Sequence, residues 1–367
     1  AMQPPERSQV DTALELLTNV GAITSPHSHW GVLTPLGSLL AKFPLPVRLS
    51  KILLFGTLFK CLDPVLTIVA AFSTSKSIFL QSFFDDAKRA AAVHAKLKRP
   101  GSDFATLQYV YEQWMRTGET ASKRKAFCRE NYLNYGTLLE IESVRKQLFN
   151  ILCSIGFVNN GDDENDSKKS REFTLHDHYN KFSKHDAVVS AVIFAGLYPH
   201  VARVTNKNKT ERTYELYHDK ERVFLHPTSV NHGTASQTLI TWDADNVRDE
   251  YLTFYEKFET RKVYISATEF VSQYSLLLFA GRADNYKVRH LDRKVVIDDW
   301  IELTGVAAKT GVMFLEVRRG LDSILQRLFE LGGDKGGDTG DDHDEAGVGE
   351  VVEAIVGLLV HERKRRG

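Results

Sequence analysis

An α+β chain of several domains, helical in its first half and built around a small β-barrel in its second, is predicted by three features of the sequence. Its 367 residues, 43% of them hydrophobic, are more than one core usually organises, so two or three domains are expected. The apolar period is 3.6 residues through most of the first 158 positions and changes to 2 after Pro199. Between the halves, Asn159-Asn160-Gly161-Asp162-Asp163-Glu164-Asn165-Asp166-Ser167 has no apolar period and reads as a solvated linker.

The elements follow in order. Val10, Ala13, Leu14, Leu17 and Val20 recur at helical spacing, and Gly21 stands where a C-cap glycine belongs. Trp30-Gly31-Val32-Leu33 is strand-like. Thr34-Pro35 then supplies an N-cap and a first-turn proline for a helix that must stop before Pro44. Helix, short strand and helix predict a winged helix over residues 1–50. Residues 51–158 read as a helical bundle, through Ile52 to Phe55, Leu62 to Phe72, Ala87 to Leu97, Phe104 to Trp114 and Thr137 to Leu152. A polar linker fills 159–183.

Residues 184–331 open with the apolar run Ala187 to Tyr198, stopped by Pro199. Val201-Ala202-Arg203-Val204, Tyr214 to Leu225, Tyr251 to Phe258 and Lys262 to Ala267 alternate in strand fashion. About five short strands suit an OB-like barrel with flanking helices. Val306 to Phe329 is an amphipathic helix. Residues 332–348, acidic and glycine-rich, are expected to be disordered, and 349–367 to form a last helix and basic tail.

Lys plus Arg equals Asp plus Glu at 47 each, so no global field draws the chain to a polyanion. The first 158 residues nevertheless hold 18 basic against 12 acidic side chains. Three cysteines without a C-x-x-C pair argue against a disulfide scaffold or structural zinc, and for a reducing compartment inside the cell. His27-x-His29 and His176-x-His178 lack the partners a metal needs. The longest apolar runs fall short of the roughly 20 residues that span a bilayer, so no membrane partner is expected. The opening Ala1-Met2 reads as a cloning remnant, which makes the chain an expected piece of a longer one.

The second half carries interleaved cations and aromatic rings. Arg203, Lys207, Lys209, Arg212, Lys220 and Arg222 accompany Tyr214, Tyr217 and Phe224, and Lys257, Arg261 and Lys262 accompany Tyr255 and Tyr264. A single-stranded nucleic acid needs both, since phosphates call for charge and unstacked bases for flat faces. The alternative is a solvated loop above rings that fill the barrel. In His226-Pro227-Thr228-Ser229-Val230-Asn231, the polar groups of His226, Ser229 and Asn231 suit bases or ribose hydroxyls, or else satisfy their own turn. Lys88, Arg89, Lys96, Lys98 and Arg99, with Lys123, Arg124, Lys125 and Arg129, form basic helix faces, which usually serve solubility.

Leu33-Thr34-Pro35-Leu36-Gly37-Ser38-Leu39-Leu40-Ala41, then Pro44, Arg48, Lys51 and Cys61-Leu62-Asp63-Pro64, resembles the C-terminal region of DEAH/RHA-type RNA helicases. The likeness continues through Tyr109 to Trp114, Asn131-Tyr132-Leu133, Val144-Arg145, Ala195-Gly196-Leu197-Tyr198-Pro199 and His226-Pro227 with Ser229. It implies a winged helix, a helical ratchet and an OB-fold, with Arg145 joining the RNA contacts by family position. Gly136-Thr137, lacking an arginine common in part of the family, points to the RHA-like branch.

The resemblance implies single-stranded RNA and a RecA-like motor of the same polypeptide as partners, and ATP with magnesium as that motor's cofactors. It also implies a G-patch-type activator docked on the winged helix, the alternative role being a protein-docking platform. No phosphate-cradling G-x-x-x-x-G-K-[ST] loop or DEAH motif occurs, so no catalytic residue, cofactor or ATP hydrolysis is expected of these 367 residues themselves. Gly305-Val306-Ala307-Ala308-Lys309-Thr310 carries the Lys-Thr without the preceding glycine. Nucleus, cytoplasm and mitochondrion are not distinguished, although the acidic glycine-rich insertion suggests a mitochondrial member.

Overall fold

The computed structural model describes residues 4–24, 31–81, 85–118, 120–158, 177–208, 213–232, 250–332 and 342–366. Helix α1 (Arg7–Val20) is opened by a reciprocal capping box between Glu6 and Gln9 and closed by Gly21 at φ 86°. An isolated bridge joins Ile23 to Leu33. Thr34 then caps α2 (Pro35–Leu40) by accepting from the Gly37 amide, and α3 (Val47–Leu58) follows. This is the expected winged-helix order, with the wing reduced to one bridge among the described residues.

Five helices build the next layer: α4 (Leu62–Ser73), α5 (Asp85–Leu97), α6 (Asp103–Arg116), α7 (Ala121–Glu130) and α8 (Tyr135–Ser154). Most of the expected linker lies outside the described residues. Its end does not behave as solvated chain: Asn180 Oδ1 accepts from the Asp63 amide at 2.8 Å, and Phe182 N donates to Lys60 O. The segment from 177 to 183 is therefore docked on the start of α4, whose first-turn N–H groups lack intrahelical partners.

Helix α9 (Asp186–Leu197) is apolar on every side and packs against α3, so it is interior to the molecule and not on a domain surface. At Gly196 an added Cβ would lie 2.2 Å from Ile52 Cγ1, a close approach that requires glycine. Strands β1 (Val201–Asn208), β2 (Thr213–His218), β3 (Glu221–Leu225), β4 (Glu250–Glu259) and β5 (Val263–Val271) close into a barrel in the order β1-β2-β3-β5-β4. All pairings are antiparallel except β3 with β5. That single parallel pair is how a five-stranded Greek-key barrel of the OB type closes.

Past the barrel come α10 (Gln273–Phe279) and a three-stranded antiparallel sheet, β6 (Tyr286–Arg289), β7 (Lys294–Ile297) and β8 (Ile301–Thr304). No apolar period in the sequence announces this sheet. Helix α11 (Ala308–Gly332) begins where expected. Helix α12 (Asp342–Arg366) begins before residue 349, inside the segment expected to be disordered. Residues 333–341 lie outside the description. One hydrophobic core runs through the winged helix, the bundle, α9 and the flanking helices, and a small separate one, including Val223, Leu225, Leu252, Phe254 and Ile265, fills the barrel.

Candidate nucleic-acid interface

The barrel brings half-buried aromatic side chains from three strands into one ridge. In β3, Val223 and Leu225 turn inward while Arg222 and Phe224 face out, the period-2 alternation of a half-buried strand. Parallel pairing sets Tyr264 of β5 beside Phe224, and antiparallel pairing sets Phe258 of β4 opposite Tyr264. The Phe258 and Tyr264 rings stack at 6.1 Å with 22° between planes, and Phe224 lies 6.2 Å from Tyr264. Lys262 Nζ sits 4.5 Å and the Arg222 guanidinium 5.1 Å from the Phe224 ring centre, within cation–π range.

Acidic neighbours hold part of this charge without cancelling it. Glu215 takes Arg222 at 3.0 Å and also accepts from Tyr217 Oη at 2.8 Å, and Glu221 takes Lys257. Among the described residues Lys262 has no acidic partner, and Lys220 is exposed in the turn between β2 and β3. Arg203 is half-buried in mid-β1, opposite Tyr217 and Tyr251 and off the strands of the ridge. Lys209 and Arg212 lie outside the described residues, and of Lys207 only the backbone, in β1, is described. Phe258 escaped the sequence reading. Its signal was the alternation within Tyr251 to Phe258, but only the pairing with β5 shows which ring it meets.

Three expected contacts are corrected by burial. Ser229 is 2% exposed and its hydroxyl donates to Asp103 Oδ2 at 2.7 Å. Asn231, also 2% exposed, spends its side-chain amide on Thr268 Oγ1 at 2.8 Å. Both brace the junction between the barrel and α6, and neither faces a ligand. Arg145 is likewise buried, donating to Asp63 O at 2.8 Å, to the Asp63 carboxylate and to Thr67 Oγ1, with Tyr111 beneath it at 5.0 Å. It ties α8 to α4. Arg145→Ala is accordingly expected to lower stability by about 2 kcal/mol and to leave nucleic-acid affinity within about twofold, as read by denaturant unfolding and oligonucleotide titration.

His226 remains on the ridge, half-buried, 5.2 Å from Phe258. Of the basic helix clusters, three side chains lie over rings of their own bundle, Arg99 over Tyr109 at 3.6 Å, Arg124 over Trp114 at 4.6 Å and Lys125 over Tyr135 at 5.5 Å, while Lys88, Lys96, Lys98 and Lys123 are exposed. Leu17 packs against the core.

A cleft of about 1470 Å³ separates the bundle from the barrel, with α12 on its rim. Arg99, Lys181 and Lys184 line it together with Asp186, Glu269 and Glu362. Glu362 caps α10 by accepting from the Gln273 and Tyr274 amides. Burial pushes the Glu269 carboxyl up to about 7, and hydrogen bonds from Ser102 and Ser190 only partly offset that.

Among the described residues no group of three or more His, Cys, Asp or Glu could hold a metal ion, and no helix is long and apolar enough to cross a membrane. Lys309 and Thr310 belong to the first turn of α11 and follow an antiparallel strand, a context unlike that of a phosphate-cradling loop.

Three family models match the chain in the order of this architecture: the winged-helix part of the helicase-associated domain over residues 13–45, its ratchet-like part over 46–132, and an oligonucleotide/oligosaccharide-binding fold over 189–283. The chain carries the C-terminal region of a DEAH-box helicase. It is 32% identical, over 99% of its length, to the chloroplastic DExH-box ATP-dependent RNA helicase DExH4 of Arabidopsis thaliana. To the human ATP-dependent RNA helicase DHX29 and the mouse putative ATP-dependent RNA helicase DHX57 it is 30% identical over about nine-tenths of its length. This helicase region spans about a quarter of the length of each relative, 25%, 23% and 24% respectively.

Proposed function

We propose that this helicase region grips single-stranded RNA for an ATP-driven motor carried elsewhere on the polypeptide, and that the barrel ridge is a principal contact. The supporting observation is the Phe258–Tyr264–Phe224 row with Lys262 and Arg222 laid against it. Rings at such spacing offer successive bases a stacking surface, while the cations meet the phosphates. The face of strands 2 and 3 and the loop between strands 4 and 5 are where OB-folds commonly take oligonucleotides, and the ridge occupies part of both. ATP and magnesium belong to the motor in this reading, and the module holds and directs the strand.

The test is binding of the 367-residue chain to single-stranded RNA across a salt series. With roughly four cations engaged, Arg222, Lys262, Lys220 and Lys257, the log–log slope should approach about −3. Tyr264→Ala should weaken binding about 10-fold or more, in line with about 1 to 3 kcal/mol per stacked base. A slope near zero, or a Tyr264→Ala variant that binds as well as the wild type, would remove the ridge from the reading.

A further inference from the structure

His226 is placed on the ridge in a way that stacking and charge do not account for. Its ring lies 6.1 Å from Tyr264 at 89° and 5.2 Å from Phe258 at 69°. A base stacked on Tyr264 must lie nearly parallel to that ring, so His226 stands beside such a stack and not within it. Groups beside a stack meet sugars and base edges.

The protonation pattern is set locally. The Thr228 amide approaches His226 Nδ1 at 3.3 Å and the Thr228 hydroxyl approaches the same nitrogen at 2.7 Å. A backbone N–H can only donate, so Nδ1 accepts and the neutral ring carries its proton on Nε2. The ring's backbone is fixed too, since His226 N donates to Ile265 O and His226 O accepts from Ser229 N. Ser229 is in turn held by Asp103. Nε2–H is thus an oriented donor with no bonding partner among the described residues.

We infer that His226 donates to the ribose 2′-hydroxyl of a nucleotide stacked on Tyr264 and Phe258, and so makes the ridge prefer RNA to DNA. This rests on the ridge being the nucleic-acid contact. The neighbouring cations, Lys262 and Arg222, already answer the phosphates, whereas a neutral N–H donor matches a neutral acceptor oxygen. Thr228 completes the device as the positioning residue that selects the tautomer.

The experiment compares affinities of the whole chain for oligouridylate, its 2′-deoxy counterpart and its 2′-fluoro counterpart. Fluorine preserves the ribose pucker while being a poor acceptor. Wild type should favour the ribo form roughly 3- to 10-fold over both others, the ratio one net hydrogen bond supplies. His226→Phe, which keeps a ring against Phe258 and Tyr264, should bring that ratio near one, the ribo affinity falling about 3- to 10-fold further than the deoxy affinity. Thr228→Val, which keeps the amide that fixes the tautomer and removes only the hydroxyl on Nδ1, should shrink it in part by loosening the orientation of the ring. Equal wild-type affinity for ribo and deoxy strands would overturn the assignment. So would a His226→Phe variant that loses both strands alike, which would make the ring a mere support, or one that loses only a preference between oligouridylate and oligoadenylate, which would place the contact on a base edge. Failure of wild type to bind any strand would refute the ridge itself, and is distinguishable from all of these.

Discussion

Replacing Asp103 by alanine should cost this helicase module about 3 to 5 kcal/mol of stability, more than any substitution on the ridge. Asp103 is the first residue of α6, yet its carboxylate faces the barrel. Oδ1 accepts from the Val230 amide at 2.7 Å, and Oδ2 from the Thr268 amide and Ser229 hydroxyl, each at 2.7 Å, and from Thr268 Oγ1 at 3.3 Å. Thr268 is fully buried and Ser229 nearly so. Alanine would strand two backbone N–H groups and one hydroxyl without an acceptor, since the Ser229 and Thr268 hydroxyls lie 2.9 Å apart and only one of them can donate to the other, at about 1 to 3 kcal/mol for each group that water cannot reach. An asparagine side chain would keep one acceptor but turn its amide protons toward donors, so Asp103→Asn should lose roughly half as much. Denaturant unfolding measures both. Because the carboxylate is the main polar tie between bundle and barrel, limited proteolysis of Asp103→Ala should also cleave the barrel before the bundle. A loss below about 1 kcal/mol would mean that the turn finds other acceptors.

The same node shows where sequence reading succeeds and where it stops. Caps and glycines such as Thr34 and Gly21 are local devices, so the helices they bound were legible from neighbouring residues alone. The barrel was legible because alternation survives in each strand. The sheet of β6, β7 and β8 was not, since four-residue strands are too short for a period to register. Ser229, Asn231 and Arg145 look like ligand contacts because they are polar, and only burial shows them bonded to Asp103, Thr268 and Asp63. The converse error concerns Phe258. It looks like barrel filling until the β3–β5 pairing, which joins segments about forty residues apart, sets Tyr264 between it and Phe224.

Glu269 should make stability fall as pH rises through neutrality. Its side chain, on β5 at the floor of the cleft, takes hydrogen bonds from Ser102 and Ser190, while Oε2 is buried without a partner among the described residues. Asp186 and Asp103 face it, and both disfavour its charge. Its folded value of about 7 stands above the ordinary 4.5, so between those values the folded protein holds a proton that the unfolded chain has released. Stability is therefore undiminished by this group below about pH 4.5, declines as pH rises toward about 7, and is lower by about 3 kcal/mol above that. The wild-type profile alone conceals the effect. His200, stacked on Phe254 and pushed down to about 3 by burial, loses stability in the opposite sense as pH drops below its ordinary 6.5. The two slopes oppose each other across the weakly acidic range, so the decisive quantity is a difference. Glu269→Gln keeps the acceptor for the two serines and cannot ionise. Relative to wild type it should be close to neutral at about pH 4.5 and stabilising by about 2 to 3 kcal/mol at about pH 8. Parallel unfolding profiles for the two proteins would show that Glu269 reaches water in the cleft and titrates as an ordinary carboxylate.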